Sequence, residues 1–195
     1  MADNPTLPID DPDLDEQDSN DAPFTNDPDE GHLLAEPPHP INWNLLTADD
    51  AQQEWWALNN WVNWLRHTYG LPVTIIPPYW HRHPELVWEL SALHLHWLCT
   101  YDLEQNGSAP IGWHADFAAT QERLREWVAA AGTKLDTDRP TRQTVWPGEE
   151  AGTPPEERST ENREKDFEEF VAADVAGRQK AEEEFYHRLL HDLGA

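Results

Sequence analysis

The chain has 195 residues, enough for one ordinary domain with extensions, and carries 38 Asp and Glu against 13 Lys and Arg, a formal net charge of −25. Nucleic-acid phosphates and anionic membranes repel a surface this acidic, so direct nucleic-acid binding and membrane binding are not expected. A basic protein partner suits the charge, and mimicry of DNA does too.

The first 40 residues form an acidic, Pro- and Asp-rich segment. They hold 12 acidic side chains, eight prolines and no Lys or Arg. We predict that residues 1–40 are disordered, because so few large apolar side chains cannot offset the ordering entropy. Residues 1–14 lack the basic start and apolar stretch of a secretory signal, and no stretch is long enough to span a membrane. With a single cysteine, Cys99, these features predict a cytoplasmic protein.

Ten of the eleven tryptophans fall within residues 41–131, where 10 acidic and 4 basic side chains leave a net charge of only −6. About 90 residues are enough to bury one modest core. We therefore predict a mainly α fold, in which a small Trp-rich domain has a three-helix core.

The first helix is predicted over about residues 48–69. Thr47 can cap its start, and Gly70, followed by Pro72, ends it. Apolar side chains recur at steps of three and four residues, as they do on one face of a helix. These are Ala51, Trp55, Leu58, Val62, Leu65 and Tyr69.

A short extended segment and two further helices complete the predicted core. Residues 73–76 are apolar or β-branched and precede two prolines, which favours a short extended segment packed on the core. The second helix should begin near His83–Pro84, since proline is well tolerated in a first turn. The third is predicted over about residues 112–131, with Gly132 at its end.

The last third of the chain divides into a linker and a helix. Residues 132–158 contain four prolines, which is typical of a linker. Residues 159–195 return to helical spacing with dense charge, which predicts a long, polar, amphipathic helix. Such a helix either docks on the core of its own chain or waits for a partner, and the pattern leaves both open.

The tryptophans outnumber what three short helices can bury. Successive helical residues lie about 100° apart, so Trp56 points away from the core when Trp55 faces it. Exposed Trp is typical of protein–protein interfaces. We predict that Trp56, Trp61, Trp64 and Trp80 form a contact surface for a protein partner. The alternative is that these rings pack against loops, the tails or the fourth helix.

Histidines supply a second candidate site. Together, His81, His83, His94 and His114 include enough imidazole ligands for zinc, and a metal-binding helical protein is one alternative function. The spacing limits this set, because His94 and His96 are two residues apart on a helix and point to nearly opposite sides. The other interpretation is that His94 packs in the core while His81 and His83 help to begin the second helix.

The common catalytic motifs are absent from the sequence. It has no Gly-x-Ser-x-Gly elbow, no phosphate-binding glycine loop and no His-Glu-x-x-His. Cys99 lies within a predicted helix among aromatic residues, which is typical of packing rather than of a nucleophile. We expect no enzyme, no catalytic residue and no cofactor. Inhibition of a nucleic-acid-binding protein by DNA mimicry through the acidic tails remains a further alternative.

An ordered set of motifs runs through the core. It comprises Trp-x-x-His-Pro at 80–84 and Trp-His at 113–114, with Trp43, Leu45–Leu46, Trp61–Val62, Leu65, Pro78–Tyr79, Glu89–Leu90, Ala92–Leu93 and Trp97. This order resembles, over about residues 42–130, a domain of unknown function found in actinobacterial plasmid, integrative-element and phage proteins. That family often has Cys where this chain has Tyr79, so the resemblance implies no reactive role there. It implies a mobile-element setting and no particular activity. Together with the absence of catalytic motifs, this leads us to predict a non-catalytic interaction module that serves as an accessory factor of a plasmid, integrative element or phage; the sequence does not indicate its oligomeric state.

Overall fold

Four α-helices make up most of the chain that the computed structural model describes, which is residues 37–141, 144–150 and 156–193. They are α1 (Ala48–Tyr69), α2 (Pro84–Thr100), α3 (Ala109–Ala131) and α4 (Arg163–Leu193). A 3₁₀ turn, Trp80–Arg82, precedes α2, and strands β1 (Thr137–Asp138) and β2 (Arg158–Ser159) pair antiparallel between α3 and α4. The predicted mainly α fold is confirmed. The predicted disordered tail lies, up to residue 36, outside the described residues.

Helix α1 begins and ends as its capping residues predict. The Thr47 hydroxyl accepts a hydrogen bond from the Asp50 amide, and Asp50 lies in the first turn, where the helix dipole favours anions. At the other end, Gly70 adopts a left-handed φ of 59° and its amide donates to the Arg66 carbonyl. The predicted bounds of α1 are therefore confirmed.

The segment between α1 and α2 packs on the core, but not as the predicted extended chain. The amides of Ile75 and Ile76 both donate to the Pro72 carbonyl, which closes consecutive turns. Four residues have no neighbouring strand to pair with, so local turns satisfy their backbone groups instead. Ile75 and Ile76 are nonetheless buried, and the chain then enters the 3₁₀ turn.

Helices α2 and α3 lie against each other. Pro84 is the first residue of α2, as predicted. Helix α3 begins at Ala109, three residues before the predicted start, because Pro110 is tolerated in the first turn. It ends at Gly132, whose φ of 75° gives the left-handed stop.

The hydrophobic core lies where α1, α2, α3 and the first half of α4 meet. Five of its members are tryptophans: Trp43, Trp55, Trp61, Trp80 and Trp113. The Trp43 and Trp55 ring centroids are 4.3 Å apart, and the Trp43 indole donates a 2.7 Å hydrogen bond to the Ser91 hydroxyl on α2. Among the described residues, no helix is long and apolar enough to cross a membrane.

The predicted linker is partly incorporated into the fold. Thr133 and Asp138 are buried, and Asp138 accepts hydrogen bonds from Thr133 and from His83 at the start of α2. These polar contacts hold residues 133–141 against the domain despite their proline content. Of the rest of the predicted linker, residues 142–143 and 151–155 lie outside the described residues.

Helix α4 docks on the core of its own chain through its first half. Phe167, Val171 and Val175 are buried, and the Phe170 ring meets the Trp55 ring edge-on at 5.2 Å between centroids. Asn162 caps the helix by accepting from two backbone amides of the first turn. Of the two alternatives that the sequence left open, docking on the same chain is the one observed.

A polar clamp reinforces this docking. The Arg178 guanidinium donates to the backbone carbonyls of Leu46 and Trp43, at 2.9 Å each, and to the Asp174 carboxylate at 2.8 Å. Asp174 also accepts from the Trp55 indole at 3.0 Å. The clamp therefore ties α4 to both the segment before α1 and α1 itself.

Candidate interaction surface

Four partly exposed aromatic rings lie side by side at one end of the helical core. They are Trp64 and Tyr69 of α1 with Trp97 and Tyr101 at the end of α2, and we call them the aromatic surface. Ring centroids are 5.1 Å apart for Trp64–Trp97, 5.6 Å for Trp97–Tyr101 and 6.3 Å for Trp64–Tyr69. These spacings are those of packed aromatic pairs, so the rings form one continuous patch.

A buried layer holds the aromatic surface in place. The Trp61 ring stacks on the His94 imidazole at 4.8 Å, and both lie beside Trp97. On the other side, the Trp113 ring of α3 lies 5.9 Å from Tyr69 and 6.4 Å from Tyr101. The exposed rings are therefore fixed by packed rings beneath them, which lowers the entropy cost of binding a partner.

Hydrogen bonding fixes Tyr69 further. The Tyr69 hydroxyl lies 3.2 Å from His114 Nε2, and His114 Nδ1 donates to the Pro110 carbonyl at 2.7 Å. With Nδ1 as the donor, Nε2 accepts from the hydroxyl. Burial and the nearby Tyr101 raise the pKa of Tyr69 above its ordinary value, so its hydroxyl stays protonated and able to donate.

The α2 and α3 side of the aromatic surface is acidic, whereas α1 carries Arg66 between Trp64 and Tyr69. Residues 83–122, which span α2 and half of α3, contain six acidic side chains and neither Lys nor Arg. Asp102 and Glu104, both exposed, follow directly after Tyr101. A cationic side chain that approaches these rings meets no repulsion from a Lys or Arg of this stretch.

Two of the four tryptophans predicted to form the contact surface are buried, so that part of the prediction was wrong. Trp61 is 5% exposed because α2 covers its flank of α1, and Trp80 is 1% exposed because Trp55 and Phe167 pack around it. A helical wheel of α1 alone cannot show which flank a neighbouring helix will cover. Trp64 is exposed, as predicted, and its ring belongs to the aromatic surface.

Trp56 lies on a different side of α1. Its ring is partly exposed, and it meets the Phe167 ring of α4 edge-on at 5.3 Å between centroids. It therefore flanks the α1–α4 contact and has no recorded ring contact with the aromatic surface. Whether Trp56 contacts a partner stays a prediction.

The sequence pattern did not predict that three members of the aromatic surface are exposed. Tyr69, Trp97 and Tyr101 follow the apolar spacing of their helices, so the pattern assigns them to the core. Tyr69 and Trp97 fall in the last turns of α1 and α2, and Tyr101 caps α2, where less neighbouring structure remains to cover them. Their position at helix ends is the one feature of the sequence that indicates exposure.

The four candidate metal-binding histidines do not come together. His81 pairs with Asp166, His83 with Asp138, His94 stacks on Trp61, and His114 bonds Tyr69. Across the described residues, no group of three or more His, Cys, Asp or Glu side chains is placed to hold a metal ion. The zinc set predicted from the sequence is therefore not assembled by this fold.

His83 lies in a cluster with the residue types of a catalytic triad. Its Nε2 is 2.8 Å from Asp138 Oδ1 and its Nδ1 is 3.3 Å from the Thr141 hydroxyl, which donates to Glu85. Burial alone would lower the pKa of His83, but the bonds with Asp138 and Glu85 outweigh it and raise the pKa to about 9. A protonated imidazole has no lone pair to accept a proton, so His83 cannot act as a general base at neutral pH.

Cys99 is exposed rather than packed. It lies on the outward side of α2, where the aromatic spacing of the sequence wrongly indicated burial. The neighbouring core position is taken by Thr100, which is buried instead.

The fold and the aromatic surface define a small α-helical domain with a rigid, one-sided aromatic patch. No protein-family model, no curated protein and no solved structure matches the chain.

Proposed function

We propose that the protein is a non-catalytic interaction module that binds a protein partner through the aromatic surface. The observation that supports this most strongly is the set of four adjacent, partly exposed rings held by a buried aromatic layer. Monomeric proteins rarely leave such contiguous apolar patches exposed unless the patch is a binding site. Trp and Tyr are also the residues that most often dominate binding energy at interfaces.

The chemistry of the patch favours a basic partner. An Arg or Lys side chain placed over the face of a Trp or Tyr ring contributes about 0.5–2 kcal/mol to the free energy of binding. Asp102 and Glu104 beside the rings, together with a chain charge of −25, steer a cationic segment toward them. We therefore propose a partner segment that places Arg or Lys over Trp64 and Trp97.

The biological setting comes from the resemblance alone. The ordered Trp, His-Pro and Trp-His motifs support an accessory factor of a plasmid, integrative element or phage, acting in the cytoplasm. A mobile-element factor that binds a basic host or element protein agrees with the acidic, aromatic surface. The DNA-mimic alternative depends on the acidic tail, most of which lies outside the described residues.

Site-specific photo-crosslinking tests the proposal. A benzoylphenylalanine replaces Trp64 or Tyr101 in the full chain, which is irradiated in an extract of the native host. We expect both positions to give the same protein adduct, because both belong to one surface. Trp127 is the matched control, since it is 44% exposed against 40% for Trp64 but lies on the second half of α3.

The pattern of adducts decides the outcome. Adducts from Trp64 and Tyr101 that are missing from Trp127 support the aromatic surface. Equal adducts from all three positions, or none from Trp64 and Tyr101, contradict it. A fourth variant at Trp56 shows whether the contact extends along α1.

A further inference from the structure

The imidazole of His81 lies in the contact between the core and the first half of α4. Its side chain is fully buried, and its Nε2 lies 2.9 Å from the Asp166 carboxylate of α4. The Phe167 and Phe170 rings of α4 lie 5.2 and 5.1 Å from the imidazole between ring centroids. A change in the charge of this imidazole therefore acts first on the docking contact of α4.

The bond to Asp166 decides which ring nitrogen of His81 carries the proton. A carboxylate only accepts hydrogen bonds, so Nε2 of the neutral imidazole donates to Asp166 and Nδ1 carries no hydrogen. Nδ1 is buried, and no residue of the described chain forms a hydrogen bond with it. A second proton would enter on Nδ1, where the new N–H would have neither an acceptor nor water.

Arg82 already neutralises the Asp166 carboxylate. Its guanidinium donates two hydrogen bonds of 2.7 Å, one to each carboxylate oxygen. Burial acts to raise the pKa of Asp166, but its bonds with Arg82 and His81 outweigh burial and lower that pKa, so the carboxylate stays ionised above pH 5. While His81 is neutral, the three side chains together have no net charge. A proton on His81 leaves one uncompensated positive charge in the contact.

The other charged and titratable groups that face His81 do not offset this charge. Arg163, in the first turn of α4, is a second cation near the imidazole, and its guanidinium donates to the neutral Asn59 side chain of α1. The Tyr79 ring lies 5.8 Å away between centroids, and a phenol is uncharged in acid. Burial, with Arg82 and Arg163, accordingly lowers the pKa of His81 to about 4 despite the bond to Asp166.

We infer that His81 is an acid-sensitive switch, in which one proton on its ring releases the first half of α4 from the core while α1, α2 and α3 stay packed. Helices α2 and α3 pack directly on each other, and α4 buries side chains along only half of its length. These features allow α4 to open as a unit of its own. The inference is independent of what binds the aromatic surface, which lies on α1 and α2.

Amide hydrogen exchange of the full chain, followed by peptide mass spectrometry, tests this inference. Exchange rates are divided by the intrinsic chemical rates at each pH, so that they report the opening equilibrium. The opening constant of residues 163–175 should rise about 30-fold between pH 7.5 and pH 5, because released His81 gains a proton that docked His81 does not. At pH 5 the amides of α3 should remain better protected than those of α4. Equal protection of the two helices at pH 5 would show global unfolding and would overturn the inference.

Two variants separate the switch from general weakening of the contact. His81→Gln cannot take up the proton, so its opening constant should stay nearly the same over this pH range. Arg178→Met is the matched control, because it removes the bonds from α4 to the carbonyls of Leu46 and Trp43. It should raise the opening constant at both pH values and preserve the roughly 30-fold ratio, since an arginine keeps its charge throughout. An acid response that persists in His81→Gln, or is missing from the wild type, contradicts the switch.

Arg82→Gln gives a second readout that does not alter the histidine. It leaves Asp166 without its cation, so a protonated His81 can pair with that carboxylate and the site becomes neutral on protonation. The rise of the α4 opening constant between pH 7.5 and pH 5 should therefore be smaller than in the wild type. A rise as large as that of the wild type would show that the excess positive charge does not release α4.

Discussion

Two histidines only two residues apart differ in charge state, because burial prevails at His81 and the carboxylate partners prevail at His83. Burial lowers the pKa of His81 to about 4, although its bond to Asp166 acts in the other direction. His83 has carboxylates near both ring nitrogens, and these outweigh its burial and raise its pKa to about 9. At neutral pH, His81 is therefore neutral and His83 is an imidazolium.

His83 should make the fold sensitive to high pH. Its folded-state pKa lies above the unfolded value of 6.5, so its stabilisation is complete below pH 6.5 and is lost as pH rises through about 9. We expect the free energy of unfolding, from urea titrations, to fall by about 2 kcal/mol between pH 7 and pH 10 on this account. Asp138→Asn should lose about that much at pH 7 and show a flatter dependence above it.

The control for this experiment is Asp136→Asn, at an exposed carboxylate two residues away. It should keep both the stability and the alkaline pH dependence of the wild type. An Asp138→Asn variant with the wild-type slope between pH 7 and pH 10 would show that Asp138 does not hold the proton on His83.

His81 should make the fold sensitive to low pH. Its folded-state pKa lies below 6.5, so its contribution is present above that pH and is lost as pH falls toward 4. We expect a loss of about 2 kcal/mol between pH 7.5 and pH 5. His81→Gln keeps a nitrogen donor for Asp166 and does not titrate. Between pH 7.5 and pH 5 the unfolding free energy of this variant should therefore fall by about 2 kcal/mol less than that of the wild type.

The exposed His191 supplies the comparison, because His191→Gln should retain the full acid dependence of the wild type. The same dependence in His81→Gln would contradict the assignment. From the sequence, the two histidines could be placed at the start of α2. Their partners could not be predicted, since Asp138 and Asp166 lie 55 and 85 residues away along the chain.

At the scale of elements, the periodicity of α4 predicted the helix but not where its apolar face is covered. Phe167 and Phe185 lie in similar stretches of sequence. Each is followed three or four residues later by an apolar residue, and each is surrounded by charged residues. Only the first meets Trp55, Trp56 and Trp80, because the core ends near Glu182. Helical spacing describes a face, and the length of the neighbouring helix decides how much of it is buried.

This contrast gives a matched pair of substitutions. Phe167 is 1% exposed and Phe185 is 56% exposed on the same helix. Phe167→Ala should lower the free energy of unfolding by about 3–5 kcal/mol through the cavity it leaves, as measured by urea denaturation. Phe185→Ala should change it by less than about 0.5 kcal/mol, because this ring is exposed.

Similar losses for the two variants would mean that α4 packs along its whole length. No loss for either would mean that α4 does not dock at all.

At the scale of the whole molecule, the folded region is larger than the sequence predicted. The composition of residues 41–131 predicted a self-sufficient core, whereas residues 133–141 and the first half of α4 also contribute buried side chains. Proline content suggested a linker because proline lacks a backbone N–H and interrupts helices and strands. The contacts of Thr133 and Asp138 depend on side chains that meet only after the helices have packed.

The same packing explains which tryptophans remain exposed. Docking of α2 and α4 covers Trp61 and Trp80 and leaves Trp64 at the end of the core, beside Trp97. The number of tryptophans predicted that the core could not bury them all, and several of those that the structure describes are indeed exposed. The identity of the exposed rings follows from how far each helix extends.

Residue-resolved footprinting of the free chain tests the aromatic surface most directly. A Trp-selective oxidant is applied to the folded protein, and the modified positions are identified by peptide mass spectrometry. Trp64 should be modified at a rate close to that of exposed Trp127, while Trp61 and Trp80 react only after the protein is unfolded in urea. Protection of Trp64 to the same degree as Trp61 would contradict the account, because no aromatic surface would then be open to a partner.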